Sequence, residues 1–250
     1  MVKYFVSAIF LLSVSSTLAG PLTLGDLLGV FQKTKPTIEA AEQKMQESMA
    51  KVVGQSFGEI LPSLNADINA MNQGYRNAAQ QLRLIGNSFQ QIAGNVRGAE
   101  LRSIQSNLNT VADGYDFFAQ ANHRVANTLF RNARYLAKDS NPIPEFLVSA
   151  FVNSEAGVAN TFQNMANAYA NLSNQFTTLA LRADSSEADQ WVQIAVSASN
   201  DAATLFNAAT LVRNALEELQ ITPPKTTGGL VKTFIGETSG LASVYLNLVA

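Results

Sequence analysis

The feature that most constrains this chain is an unbroken alternation of four- and three-residue steps between apolar side chains. Leu64, Ile68, Met71, Tyr75, Ala78, Leu82, Ile85, Phe89, Ile92 and Val96 follow it without a miss. Such steps average close to the helical repeat, so these side chains form one stripe along a helix and must be covered by another helix. A half-buried strand would instead alternate every two residues, and no segment sustains that pattern.

Three more segments carry the same seam. One runs Leu101, Ile104, Leu108, Val111, Tyr115, Phe118, Asn122, Val125, Leu129, Asn132 and Leu136. The next runs Phe151, Glu155, Val158, Phe162, Met165, Tyr169, Leu172, Phe176 and Leu179, and the last runs Trp191, Ile194, Ala198, Asp201, Leu205, Ala208, Val212, Ala215 and Leu219. The prolines lie at 21, 36, 62, 142, 144, 223 and 224. Proline inside a helix costs about 3 kcal/mol, so they punctuate the chain. The expected helices are 37–60, 63–96, 99–138, 145–182, 185–220 and 229–249, after a short amphipathic turn near Leu24, Leu27, Leu28 and Phe31. Asn141 before Pro142, and Asp184-Ser-Ser-Glu187, read as helix starts, the second with capping-box spacing. Gly94 and Gly98 mark either a turn between two helices or glycines within one longer rod.

Near-equal helices on short connections favour antiparallel neighbours. The expected fold class is therefore all-α: an elongated antiparallel bundle of about four long heptad-patterned helices plus two shorter flanking helices. Turning the chain at 95–99 would set Ala78 against Phe118 and Tyr75 against Asn122. Turning it at 183–186 would set Phe162 against Ala208 and Tyr169 against Asp201. At an offset of 94 residues, Met71, Tyr75, Asn77, Gln81 and Leu82 correspond to Met165, Tyr169, Asn171, Gln175 and Phe176. This is the pattern of a duplicated helical hairpin, or of two heptads drawn from one biased alphabet.

The N-terminus has the order of a secretory signal peptide: Lys3, an apolar run from Tyr4 to Leu12, then small residues to Thr17 and Ala19. The domains expected are a signal peptide at 1–19, an N-terminal segment at 20–36, a helical bundle at 37–222, and at 223–250 a Pro/Gly linker with a C-terminal amphipathic helix packing on the bundle. That helix would use Leu230, Phe234, Leu241, Val244 and Leu248. The small residues from Thr226 to Gly229 before this apolar end also allow a GPI-attachment signal. Export to the extracellular space follows from the leader, with no transmembrane segment in the mature chain.

Composition narrows function. With no cysteine and one histidine among 250 residues, thiolate chemistry and disulfides are excluded and imidazole chemistry is nearly so. Lys and Arg number 17 against 19 Asp and Glu, and charged residues are 14% of the chain. Without Lys3 the balance goes from 17 − 19 = −2 to 16 − 19 = −3. Nucleic acid would call for a strongly basic face, so no nucleic-acid partner is expected. His123 lacks a carboxylate at the spacing that would share a metal with it, and Asp184, Glu187 and Asp189 are accounted for by the start of a helix. No motif for catalysis, a cofactor or a metal is present, and no enzyme is expected.

Three features remain. Arg124, Arg131 and Lys138 recur every seven residues with Arg134 beside them, which complements a helix C-terminus or forms a stripe for an anionic head group. Asn171-Leu172-Ser173 is a glycosylation sequon at Asn171. Asn122, Asn132, Glu155 and Asp201 interrupt the seams as register devices or as the lining of a polar cavity. The function expected first is a secreted, non-enzymatic, helical-bundle protein that binds a lipid or other apolar small molecule. The alternative is a structural, self-associating protein of an extracellular matrix, coat or secretion.

Overall fold

The computed structural model describes residues 23–25, 27, 57–132 and 142–227. Four long helices fill most of this range: α1 (Phe57–Ile92), α2 (Gly98–Arg131), α3 (Glu145–Ala180) and α4 (Ser185–Ile221). At 1.5 Å per residue each is about 50–55 Å long. The described residues contain no strand, and the protein is all-α, as the seams require. The signal peptide, the two flanking helices at 37–60 and 229–249, and most of the C-terminal segment fall outside the described residues, apart from 57–60, which open α1.

Two departures from the expected boundaries are instructive. α1 runs through Pro62 without a break. A proline there removes one amide donor about a turn and a half into the helix, a local loss that neighbouring turns carry when a long buried seam follows. α3 begins at Glu145 with Pro144 as its N-cap, φ −61° and ψ 135°. Pro142 is thus no first-turn residue; it bridges Thr226, and the Ile143 amide donates to the Lys225 carbonyl at 3.2 Å. The segment before α3 is therefore tied to the segment after α4, at one end of the bundle.

Between α1 and α2 the chain does turn. The Ala93 amide donates to the Phe89 carbonyl at 2.9 Å and the Val96 amide to the Ala93 carbonyl at 3.0 Å. Gly98 then takes φ +62°, a left-handed conformation that costs glycine nothing. At the other hairpin Asp184 is the N-cap of α4, but its carboxylate accepts from the Ser186 hydroxyl at 3.2 Å and no side-chain bond to the helix amides forms. The capping box is present in spacing and absent in bonding.

The seams are the core. Leu82, Ile85, Phe89, Ile104, Leu108, Val111, Met165, Leu172, Phe176, Ile194, Ala198, Leu205, Ala208 and Val212 are all buried in one cluster, which also takes in Leu27 from the N-terminal turn. That turn is closed by the Leu27 amide donating to the Thr23 carbonyl. Successive helices pack on one another, and α1 meets α4 through side chains at the Gly98 end. There Phe176 stacks on both Phe89 and Trp191, and Phe89 tilts against Trp191, with centroids 5.6–6.2 Å apart.

The hairpins meet where α2 and α3 cross. A methyl group added at Gly114 would collide with the Met165 thioether, and one added at Gly157 would lie 2.9 Å from Phe117 Cζ. Each helix thus supplies a notch for a large side chain of the other. Polar ties flank the crossing. Arg182 donates to both carboxylate oxygens of Glu100 at 3.0 Å, and Gln175 joins Ser103 and Asn107 at 2.7 and 3.3 Å.

Candidate functional site

Two places break the rule of apolar inside and polar outside: a polar layer in the core and an apolar row on the surface. The polar layer lies near the middle of the bundle. Tyr75 stacks on Tyr115 at 6.0 Å and tilts against Phe118 at 5.6 Å. Phe118 continues to Phe162 at 4.6 Å, and the Tyr115 and Tyr169 hydroxyls approach to 3.5 Å.

Within reach of this aromatic layer along α1 is Asn72, which is buried and whose Oδ1 accepts no hydrogen bond from a described residue. An unmet buried acceptor costs about 1–3 kcal/mol. On α3, Glu155 is half-buried and makes no ion pair with a described residue; burial pushes its carboxyl up to about 7. Asn122 is half-buried, and Asn132 donates its side-chain amide to the Thr128 carbonyl of its own helix at 2.8 Å. Asp201 is also half-buried and engaged. The four seam polars therefore do different things and do not form one described cluster.

The cationic stripe is superficial. Arg124 and Arg131 are exposed on α2, and Arg134 and Lys138 lie outside the described residues. His123 is exposed as well. Arg83, by contrast, is paired, held at 2.6 Å by both Asp113 and Asp116 across the α1–α2 hairpin. These carboxylates raise its guanidinium above its ordinary range, the Asp113 hydrogen bond contributing most. Asn171 is exposed in the last third of α3, with its neighbour Leu172 buried. No group of three metal-ligating side chains occurs among the described residues, and none of their helices is long and apolar enough to cross a membrane.

The surface row was missed by reading only the buried seam of α4. Val192 is 49% exposed, Val196 53% and Phe206 36%, all on the side away from the bundle. From 190 to 212 every exposed position of α4 is uncharged, and Gln193, Asn200, Asn207 and Asn214 form an amide line beside the apolar row. The sequence matches no protein-family model, no curated protein and no solved structure.

Proposed function

We propose that this protein is an exported, non-enzymatic building block of an extracellular matrix, coat or secretion, whose helices serve as associating surfaces. The observation that carries this reading is the outer face of α4, apolar and amide-rich and without an exposed charge over about six turns. Weakly charged surfaces with contiguous apolar groups favour association over dispersal. A core filled by interlocked pairs such as Met165 in the Gly114 notch suits a rod better than a vessel. Sedimentation velocity and light scattering on the full chain across a wide concentration range test it. Assembly that grows with concentration is expected; a monomer throughout would overturn it. N-terminal sequencing of exported material should begin at Gly20.

One observation favours a second reading, a carrier for a lipid or other apolar molecule. Asn72 Oδ1 and the Glu155 carboxyl are polar groups set into apolar seams, and a guest bearing a hydroxyl could partner either. Fatty acids, sterols and phospholipids should then bind stoichiometrically and raise the melting temperature by mass action. Arg124→Glu with Arg131→Glu should weaken acidic guests more than neutral ones, the Arg124, Arg131, Arg134 and Lys138 stripe acting as the head-group contact. Absence of binding across that panel would end this reading.

A further inference from the structure

The outer face of α4 has an order that its exposure alone does not explain. Asp189, Val192, Val196, Ser199, Ala203, Phe206, Thr210 and Arg213 follow one another in steps of three, four, three, four, three, four and three, and all eight are exposed. This is a second heptad seam, turned to the outside of a helix whose inner seam is already buried. The sequence of steps reads the same in both directions. A seam with that property can pair with itself antiparallel, because the positions that must face each other then come into register over its whole length.

We propose that a second copy of this chain docks on this face, with two α4 helices antiparallel about a two-fold axis between Ser199 and Ala203. This rests on the assembly reading above and names the partner. In that register Ser199 meets the other copy's Ala203, so the smallest side chains lie at the centre and let the helices approach. Val196 meets Phe206, Val192 meets Thr210, and Asp189 meets Arg213.

The charges select this arrangement over its alternatives. Asp189 forms no ion pair with a described residue, and the antiparallel register brings an arginine to each Asp189 at both ends of the seam. A parallel pair would set Asp189 against Asp189 and Arg213 against Arg213. Arg213 already donates to Gln163 Oε1 at 3.2 Å on its own chain, and a guanidinium has five donors, so both contacts are compatible. The line of Gln193, Asn200, Asn207 and Asn214 flanks the seam and supplies hydrogen-bonding groups at its rim.

The test is a charge reversal read by sedimentation equilibrium on the full chain, with circular dichroism verifying that each variant is folded. Asp189→Arg alone and Arg213→Asp alone should each raise the dimer Kd by about tenfold, and the two together should return it to near the parent value. The chain has no cysteine, so Ser199→Cys and Ala203→Cys provide a second readout. Mixed and oxidised, the two variants should crosslink to each other in preference to themselves. Assembly that ignores both charge variants, or Ser199→Cys chains that crosslink best to themselves, would overturn the α4 arrangement while leaving assembly by another surface standing. A monomer at every concentration would overturn both.

Discussion

Glu155 occupies a seam position that an apolar side chain would fill, and its ionisation is coupled to folding. Its carboxyl titrates at about 7 in the folded protein against an ordinary 4.5, because burial penalises the charge. The folded state therefore holds this proton more tightly than the unfolded chain does. The contribution of Glu155 to stability is fully present below about pH 4.5 and is lost as pH rises through the window to about 7. The gap corresponds to roughly 3 kcal/mol at most. Glu155→Gln should remove this slope, raising the midpoint of urea unfolding at pH 8 and changing it little at pH 4.5. An unaltered slope would show that other groups carry the pH dependence. The α2–α3 crossing offers a second residue-scale prediction, in which context reverses a sign. Gly114→Ala should destabilise by about 1–3 kcal/mol because Met165 fills the notch. On a Met165→Ala background the same change should stabilise, since alanine is favoured over glycine in a helix by about 1 kcal/mol once the notch is empty. Additive effects of the two substitutions in urea unfolding would mean that the side chains do not share the space. Neither site was legible in full. Glu155 stands out in the sequence as a break in a seam, but that no described residue forms an ion pair with it depends on what the neighbouring helices present. Gly114 is one of 15 glycines until α3 is brought against it.

At the scale of elements the sequence was most informative, because a periodicity sustained over 30 residues leaves few alternatives. Most described positions of all four seams are buried, and the turn at Gly94–Gly98 is one in which Gly98 takes a positive φ. Pro62 was misleading for a physical reason: the cost of proline is local and finite, whereas burial accumulates along the whole helix. Heptads specify which face is covered and not which rings meet, so the stacking of Tyr75 on Tyr115 is seen only in the folded protein. α4 is the converse case. Its inner seam was evident, but that alone conceals a second seam on the other side, since an apolar residue off the first stripe looks like scatter. The seams predict a contrast that mutation can check. Leu82→Asp and Phe176→Asp place an unpaired charge at positions 2% and 0% exposed, and each should unfold or loosen the bundle, by 3 kcal/mol or more on the order expected for buried charge. Arg131→Ala, at an exposed helix end, should stay within about 0.5 kcal/mol of the parent. Thermal melts followed by circular dichroism separate the two outcomes, and equal tolerance at all three positions would mean that the seams are not buried.

For the molecule as a whole, the question is whether two hairpins fold as one unit. α1 with α2, and α3 with α4, each make a helical hairpin, which matches the 94-residue offset at which Tyr75 corresponds to Tyr169. Hairpins joined only by a chain would melt separately. Three links argue against that here: the Gly114–Met165 and Gly157–Phe117 notches, the Arg182–Glu100 and Gln175 ties, and the stack of Phe89 on Phe176 and Trp191. The last sets an α1 ring against the stacked Phe176 and Trp191 of the other hairpin, so α1 cannot leave without exposing that pair. Trp191 is the single tryptophan of the chain and only 3% exposed, which makes its fluorescence a selective report on that junction. Thermal unfolding followed by Trp191 emission should coincide with unfolding followed by far-ultraviolet helical signal, because the junction and the helices are lost together. Phe89→Ala should lower both midpoints in step, at a cost of about 3–5 kcal/mol for removing a buried ring. An emission change several degrees below the loss of helix would mean that the junction opens first and that α1–α2 and α3–α4 are independent units lying side by side.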